Sequence, residues 1–222
     1  MSEKRHLRWA VLGTGVIANE MAQALRSMGR TLDAVGNRTH EKAETFAEKY
    51  GVPKVYGDYH EMFSDPEIDA VYITTPHNTH IAFLEEALSH GKHVLCEKSI
   101  TLNSAELERA RKLAEENRAV LAEAMTIYHM PLYRELTRRV QAGELGRVNL
   151  IQLNFGSFKP YDMTNRFFSR SLAGGALLDI GVYALSLARL FLDSSPDQVR
   201  SFVRKAPTGV DESAAIAMTN RE

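Results

Sequence analysis

Over the first 122 residues, short apolar runs rich in β-branched side chains alternate with longer amphipathic runs. The short runs are Trp9–Leu12, Leu32–Gly36, Lys54–Tyr56, Ala70–Thr74, His93–Cys96 and Val120–Ala122. They have few polar interruptions, as strands covered on both faces do, because neither face meets water. The longer runs predict helices near Val16–Met28, His40–Tyr50, Thr79–His90 and Ser104–Asn117. Asn103 with Glu106 makes a capping-box-like start, and Gly51 and Gly91 stop two helices where a left-handed residue is favoured. Repeated strand–helix units with right-handed crossovers give a doubly wound parallel sheet. The expected class is α/β, with this sheet in a first domain over residues 1–123.

After Ala122 the rhythm changes. Pro131–Ala142 reads as a helix stopped by Gly143. Gly146–Phe155 reads as a long strand with Val148, Leu150, Leu153 and Phe155 at its apolar positions. A polar, aromatic loop runs to Arg170, Ala176–Leu192 reads as an amphipathic helix, and Gln198–Arg204 and Ser213–Thr219 read as strands. This predicts an α+β domain over residues 124–222 with an open, mostly antiparallel sheet. So few strands leave an exposed edge and an uncovered apolar face. The chain is therefore expected to be a fragment, truncated at its C-terminus, or to pair that edge with another copy as a homo-oligomer.

Lys and Arg total 27 against 28 Asp and Glu, a net charge of -1. That balance gives no reason to expect nucleic acid or an anionic membrane as partner. The N-terminal apolar stretch ends at Gly13, too short for a signal-peptide core or a membrane span. Cys96 is the only cysteine, so no internal disulfide forms and the cytoplasm is the expected compartment.

Gly13, Gly15 and Ala18 make a Gly-Xaa-Gly-Xaa-Xaa-Ala turn directly after a strand and before a helix. The first glycine permits the tight turn and the second lets backbone approach a pyrophosphate. The small third residue lets helix and strand pack closely, and the helix N-terminus faces the negative charge. Gly13, Gly15, Val16 and Ile17 are thus candidate dinucleotide contacts. An NAD site places an acid about 20 residues further on, against the ribose diol. This chain has Gly36-Asn37-Arg38-Thr39 there, and Asp33 comes too early. Arg38 can pair with a 2′-phosphate and stack on adenine, which favours NADP with NAD as the alternative.

Three further segments carry chemistry. Thr74 to His80 follows the fourth strand, with Thr75, Pro76, Asn78 and His80 as candidate cofactor contacts. Gly91 to Lys98 delivers Glu97 and Lys98 to the carboxyl end of the fifth strand, where open α/β sheets bind ligands. Gly174 to Tyr183 opens a helix, with Asp179 and Tyr183 four residues apart on one face. His77, His80, His93 and Cys96 match no closed zinc spacing, so no metal is expected.

Together these four segments resemble the glucose–fructose oxidoreductase / inositol dehydrogenase / rhizopine catabolism (Gfo/Idh/MocA) family over essentially the whole chain, and most of all its dihydrodiol/xylose dehydrogenase branch. The resemblance implies an N-terminal Rossmann domain, an open C-terminal sheet and a small sugar, cyclitol or diol substrate. It implies that Lys98 lies beside nicotinamide and substrate as the lysine of an E-K-P motif. It implies that Asp179 belongs to D-x-G-x-[HY], and that Tyr183 is the acid/base, assisted by Lys98, since a nearby ammonium favours the phenolate. Two departures stand out. Ser99 replaces the motif's proline, so a cis bond cannot be carried over from proline. Tyr128 fills a place that is often Arg, with His129 beside it; both, with Phe167 from the aromatic loop, are candidate substrate contacts. A sensor or regulator that binds NADP without turnover is the rival reading.

Overall fold

The computed structural model describes residues 6–192 and 194–220. Its contacts divide the chain into two compact units, Met1–Ala124 and Met125–Glu222.

The first unit holds β1 (Trp9–Leu12), α1 (Val16–Ser27), β2 (Ala34–Gly36), α2 (His40–Tyr50), β3 (Lys54–Tyr56), α3 (Tyr59–Ser64), β4 (Ala70–Ile73), α4 (His80–Ser89), β5 (His93–Cys96), α5 (Ser104–Glu116) and β6 (Leu121–Glu123). The strands form one parallel sheet in the order β3-β2-β1-β4-β5-β6. The expected elements end within two residues of those observed, the usual spread at frayed termini. The short helix α3 was not expected. It starts where the Asp58 side chain accepts from the His60 N–H at 2.8 Å and buries Met62 and Phe63.

Alternation along β1 explains the layering. Ala10 and Leu12 join a cluster with Met62, Phe63, Leu84, Leu88 and Ala110 from α3, α4 and α5. Val11 joins the opposite cluster with Ala18, Leu25, Ala43 and Phe46 from α1 and α2. Successive strand side chains point to opposite faces, so helices must cover both. Each fully buried large side chain here contributes about 1.5–3 kcal/mol relative to an exposed one.

The second unit holds α6 (Pro131–Gln141), α7 (Val182–Phe191) and an antiparallel hairpin of β7 (Gln198–Lys205) and β8 (Asp211–Thr219). The strand expected over Gly146–Phe155 is not one. No backbone–backbone hydrogen bond among the described residues involves 147–159, and Leu150 is 82% exposed. Its alternation suits a strand, but no neighbour supplies the ladder, and alternation without a partner makes only an extended loop. Among the described residues β7 and β8 pair only with each other, and Phe202 is 82% exposed.

The expected helix over Ala176–Leu192 has a different head. Leu177–Gly181 is a π turn that leads into α7. Arg170–Phe191 is long and apolar enough to cross a membrane by length and composition. Its continuous helical part starts only at Ala176, after Ala173 and Gly175 at positive φ. That part rises roughly 24 Å, short of the ~30 Å of a bilayer core.

Candidate active site

The glycine turn sits between β1 and α1, at the point where the strand order reverses. Gly13 has φ +104°, and a Cβ there would lie 2.5 Å from Thr74 Oγ1, so only glycine fits. The Gly13 N–H donates to Gly36 O at 2.8 Å, and Thr74 Oγ1 donates to Leu12 O at 2.9 Å. Gly15 differs: a Cβ there would meet nothing within 4 Å. The space before the loop is open, Val16 is 74% exposed, and α1 begins with no side-chain cap and no acid in its first turn. Ala18 is fully buried against the sheet. Open backbone amides at an uncapped helix N-terminus suit a pyrophosphate, so these residues fit a dinucleotide.

Asn19 was missed by sequence reasoning. Its Nδ2 donates to Thr14 O and Gly15 O at 3.2 and 2.9 Å. Its Oδ1 accepts from Tyr50 Oη at 2.7 Å and Lys49 Nζ at 2.9 Å. It therefore ties the loop to α2. The readable signal is a carboxamide one residue past Ala18, within reach of the turn's carbonyls.

At the end of β2, Asn37 Nδ2 donates to Thr39 O at 2.9 Å, a turn-closing bond. Arg38 is exposed and makes no ion pair among the described residues. The Asp33 carboxylate accepts from the Trp9 N–H at 2.8 Å, so it serves the sheet.

Past β4, Thr79 Oγ1 donates to Pro76 O at 2.6 Å. Asn78 Oδ1 is buried and has no hydrogen-bond partner among the described residues. His80, expected as a cofactor contact, is 0% exposed. Its Nε2 lies 2.8 Å from Thr75 O and its Nδ1 2.9 Å from Ser99 O. Past β5, Tyr72 donates its hydroxyl to Glu97. Burial pushes the Glu97 carboxyl above its usual range, partly opposed by that bond and by Lys98; its partner Tyr72 is pushed up as well, by burial first. Lys98 is half-buried beside Glu97. The Lys98–Ser99 bond is cis although no proline is present.

In the second unit, Gly174 and Gly175 are fixed by close backbone. A Cβ at Gly174 would lie 2.5 Å from Phe167 O. Gly175 has φ +122°, and a Cβ there would press on the Asp211 carboxylate. Asp211 Oδ2 accepts from the Leu177 N–H at 2.5 Å, which holds the head of the π turn. Asp179 lies within that turn and Tyr183 in the first turn of α7. π turns recur at functional sites. The Tyr183 ring meets Phe155 edge-on at 5.7 Å.

A cleft of about 1120 Å³ in this unit is lined by Asp179, Phe167, Leu185, Ile216 and the extended loop. Phe167 lies under Lys159 Nζ and the Arg166 guanidinium, each 4.2 Å from its ring centre. Tyr128 borders a separate hollow of about 230 Å³ with Tyr133 and Arg134, and His129 is exposed in the turn Thr126–His129. Of the three expected substrate contacts, only Phe167 faces the larger cleft. Among the described residues no group of three or more His, Cys, Asp or Glu could hold a metal.

The oxidoreductase family described as having an NAD-binding Rossmann fold matches residues 7–125, and the Gfo/Idh/MocA C-terminal domain matches residues 133–221. Trans-1,2-dihydrobenzene-1,2-diol dehydrogenase of Xenopus laevis is 34% identical over 217 residues, 95% of this chain and 64% of that protein. The Homo sapiens protein of that name is 32% identical over 216 residues, with 96% and 64% covered. The chain thus spans about 64% of the length of these curated relatives. Among solved structures, KijD10, a 3-ketoreductase from Actinomadura kijaniata in complex with NADP and TDP-benzene, is 25% identical. Its TM-score is 0.82, with 98% of this chain and 67% of that one covered. Levoglucosan dehydrogenase, in complex with NADH and levoglucosan, shares the fold at 21% identity and a TM-score of 0.85, with 96% and 63% covered. Two matched domains in order, over a 3-2-1-4-5-6 parallel sheet with an open glycine turn at its switch point, place this chain in the Gfo/Idh/MocA oxidoreductase family.

Proposed function

We propose that the chain belongs to an NADP-dependent dehydrogenase or reductase acting on a CH–OH group of a sugar, cyclitol or diol. The observation that carries this reading is the open, uncapped glycine turn with Arg38 free beyond β2. Gly13, Gly15, Val16 and Ile17 would receive the pyrophosphate, and Asn37 and Arg38 the adenosine end. Thr75, Pro76, Asn78, Glu97 and Lys98 would border the nicotinamide end. The cofactor supplies the hydride or accepts it; the chain supplies position and proton transfer. Tyr183 takes the acid/base role and Asp179 binds a substrate hydroxyl, as the resemblance implies. The names of the relatives support a diol or sugar substrate, and the NADP held by the 3-ketoreductase supports the cofactor. The same proposal includes a cytoplasmic homo-oligomer joined through the β7–β8 sheet, which sedimentation would check.

Fluorescence titration with NADPH and NADH tests the cofactor. NADPH binds more tightly, and Arg38→Ala removes most of the difference, about 1–3 kcal/mol for a charge-assisted contact. Equal affinities in the unaltered chain refute the assignment of Arg38.

A further inference from the structure

His80 is the most completely buried polar side chain at the carboxyl edge of the parallel sheet. Its ring lies between two carbonyls from different loops. Thr75 O belongs to the loop after β4, and Ser99 O to the residue that follows Lys98. Both contacts lie at 2.8–2.9 Å, and a carbonyl can only accept. The ring therefore touches both loops at once, and its own surface is fully buried.

The neighbouring bonds extend this link. Thr74 ties the β4 loop to Leu12 O, at the start of the glycine turn. Thr75 Oγ1 and Thr79 Oγ1 lie 2.8 Å apart, and because Thr79 gives its proton to Pro76 O, Thr75 donates to Thr79. On the far side, Glu123 Oε1 accepts from the Ile100 N–H at 3.0 Å. A continuous path thus runs from the glycine turn through Thr74, Thr75 and His80 to Ser99, and its last step is the residue bonded to Lys98.

We propose that His80 is a positioning residue for the nicotinamide half of the site: its ring joins the loop after β4 to the loop after β5 and so fixes where Lys98 is held. This rests on the reading of the sheet's carboxyl edge as the nicotinamide site. A neutral imidazole has one N–H and can donate to only one of the two carbonyls; the imidazolium can donate to both. Burial holds the ring below its ordinary titration range, opposed by the carbonyls of Thr75, Ser99 and Ile100 and by the Glu123 carboxylate. The His77 ring is the other titratable group against it, edge-on at 5.7 Å.

The test uses His80→Leu and His80→Gln, with two readouts. Hydrogen exchange is followed in residues 74–79 and 97–101, with β2 and α2 as the control. Affinities are measured for NADPH and for 2′,5′-ADP, which carries only the adenosine end. His80→Leu should speed exchange in both loops together and leave the control unchanged. It should weaken NADPH about tenfold, the scale of one lost buried hydrogen bond, with 2′,5′-ADP within about twofold. His80→Gln keeps a donor and should recover part of the NADPH loss. Unchanged exchange in either loop, or equal weakening of both ligands, overturns the proposal. Faster exchange in both loops of a chain that binds no NADPH leaves the bridge standing and overturns the nicotinamide reading instead.

Discussion

Gly175→Ala is a demanding test of how the helix bearing Asp179 and Tyr183 is held. At φ +122° an alanine is strained, at about 1–3 kcal/mol for a non-glycine residue in such a region. Its Cβ would also lie 3.1 Å from Asp211 Cγ and closer still to Oδ1. The carboxylate must swing away, and in doing so it releases the Leu177 N–H. A hydrogen bond to a charged group contributes about 1.5–3 kcal/mol, so the single substitution should cost about 2.5–6 kcal/mol. Asp211→Ala removes that bond alone and makes room for the methyl. In the Asp211→Ala background, Gly175→Ala should therefore cost only its backbone strain. The coupling between the two sites should be about 1.5–3 kcal/mol. Urea unfolding of the four chains, followed by far-UV circular dichroism, measures it, while the sole tryptophan, Trp9 in β1, reports the first unit separately. If Gly175→Ala costs the same with or without Asp211, the carboxylate is not what the glycine accommodates.

Three other expectations follow. Gly13→Ala should abolish measurable NADPH binding, because its methyl would meet Thr74 Oγ1 at 2.5 Å and displace the turn; retained affinity in a titration refutes it. Tyr183→Phe should leave NADPH affinity near normal and lower turnover about 100-fold in single-substrate assays on diols and aldoses, the scale of a lost acid/base. Asp65 accepts from Lys54 and Tyr56, with Lys54 the larger cause holding its carboxyl well below the usual range. Its folded pKa is depressed, so its contribution is present above the unfolded value, about 4, and is lost as pH falls from there towards the folded value. Asp65→Asn should flatten the acid limb of an unfolding-versus-pH series, and an unchanged limb refutes the pairing.

The first unit was legible because its strands are buried on both faces. Burial forces apolar, β-branched runs, and the glycine turn and caps punctuate them locally. What sequence reasoning missed there was too short or too distant. The helix α3 has six residues, less than two turns of periodicity, although Asp58 marks its start. The partners of His80 lie 5 and 19 residues away and meet only once the sheet forms. In the second unit, the pattern over Gly146–Phe155 was real but ambiguous, since alternation says which faces differ and not whether a neighbour pairs. The π turn was invisible because one widened turn of five residues is too short to show a period of its own. Asp211, 34 residues from Leu177, carried no signal of its capping role. The residues Lys98, Asp179 and Tyr183 were found through motif resemblance, and the parts that hold them in place were not.

Cys96 is the only thiol in the chain, and it ends β5 one residue before Glu97. It is fully buried, its backbone is paired in register with Ile73 of β4, and burial pushes its thiol pKa well up. An aromatic disulfide reagent can therefore reach it only when the carboxyl end of β5 opens. The labelling rate, divided by that of an unprotected thiol at the same pH, gives the opening equilibrium. The fold thus carries a native single-site probe at the carboxyl end of β5, readable by absorbance and without any engineered label. Slower labelling with NADPH present would measure how strongly ligand closure reaches the strand that carries Lys98.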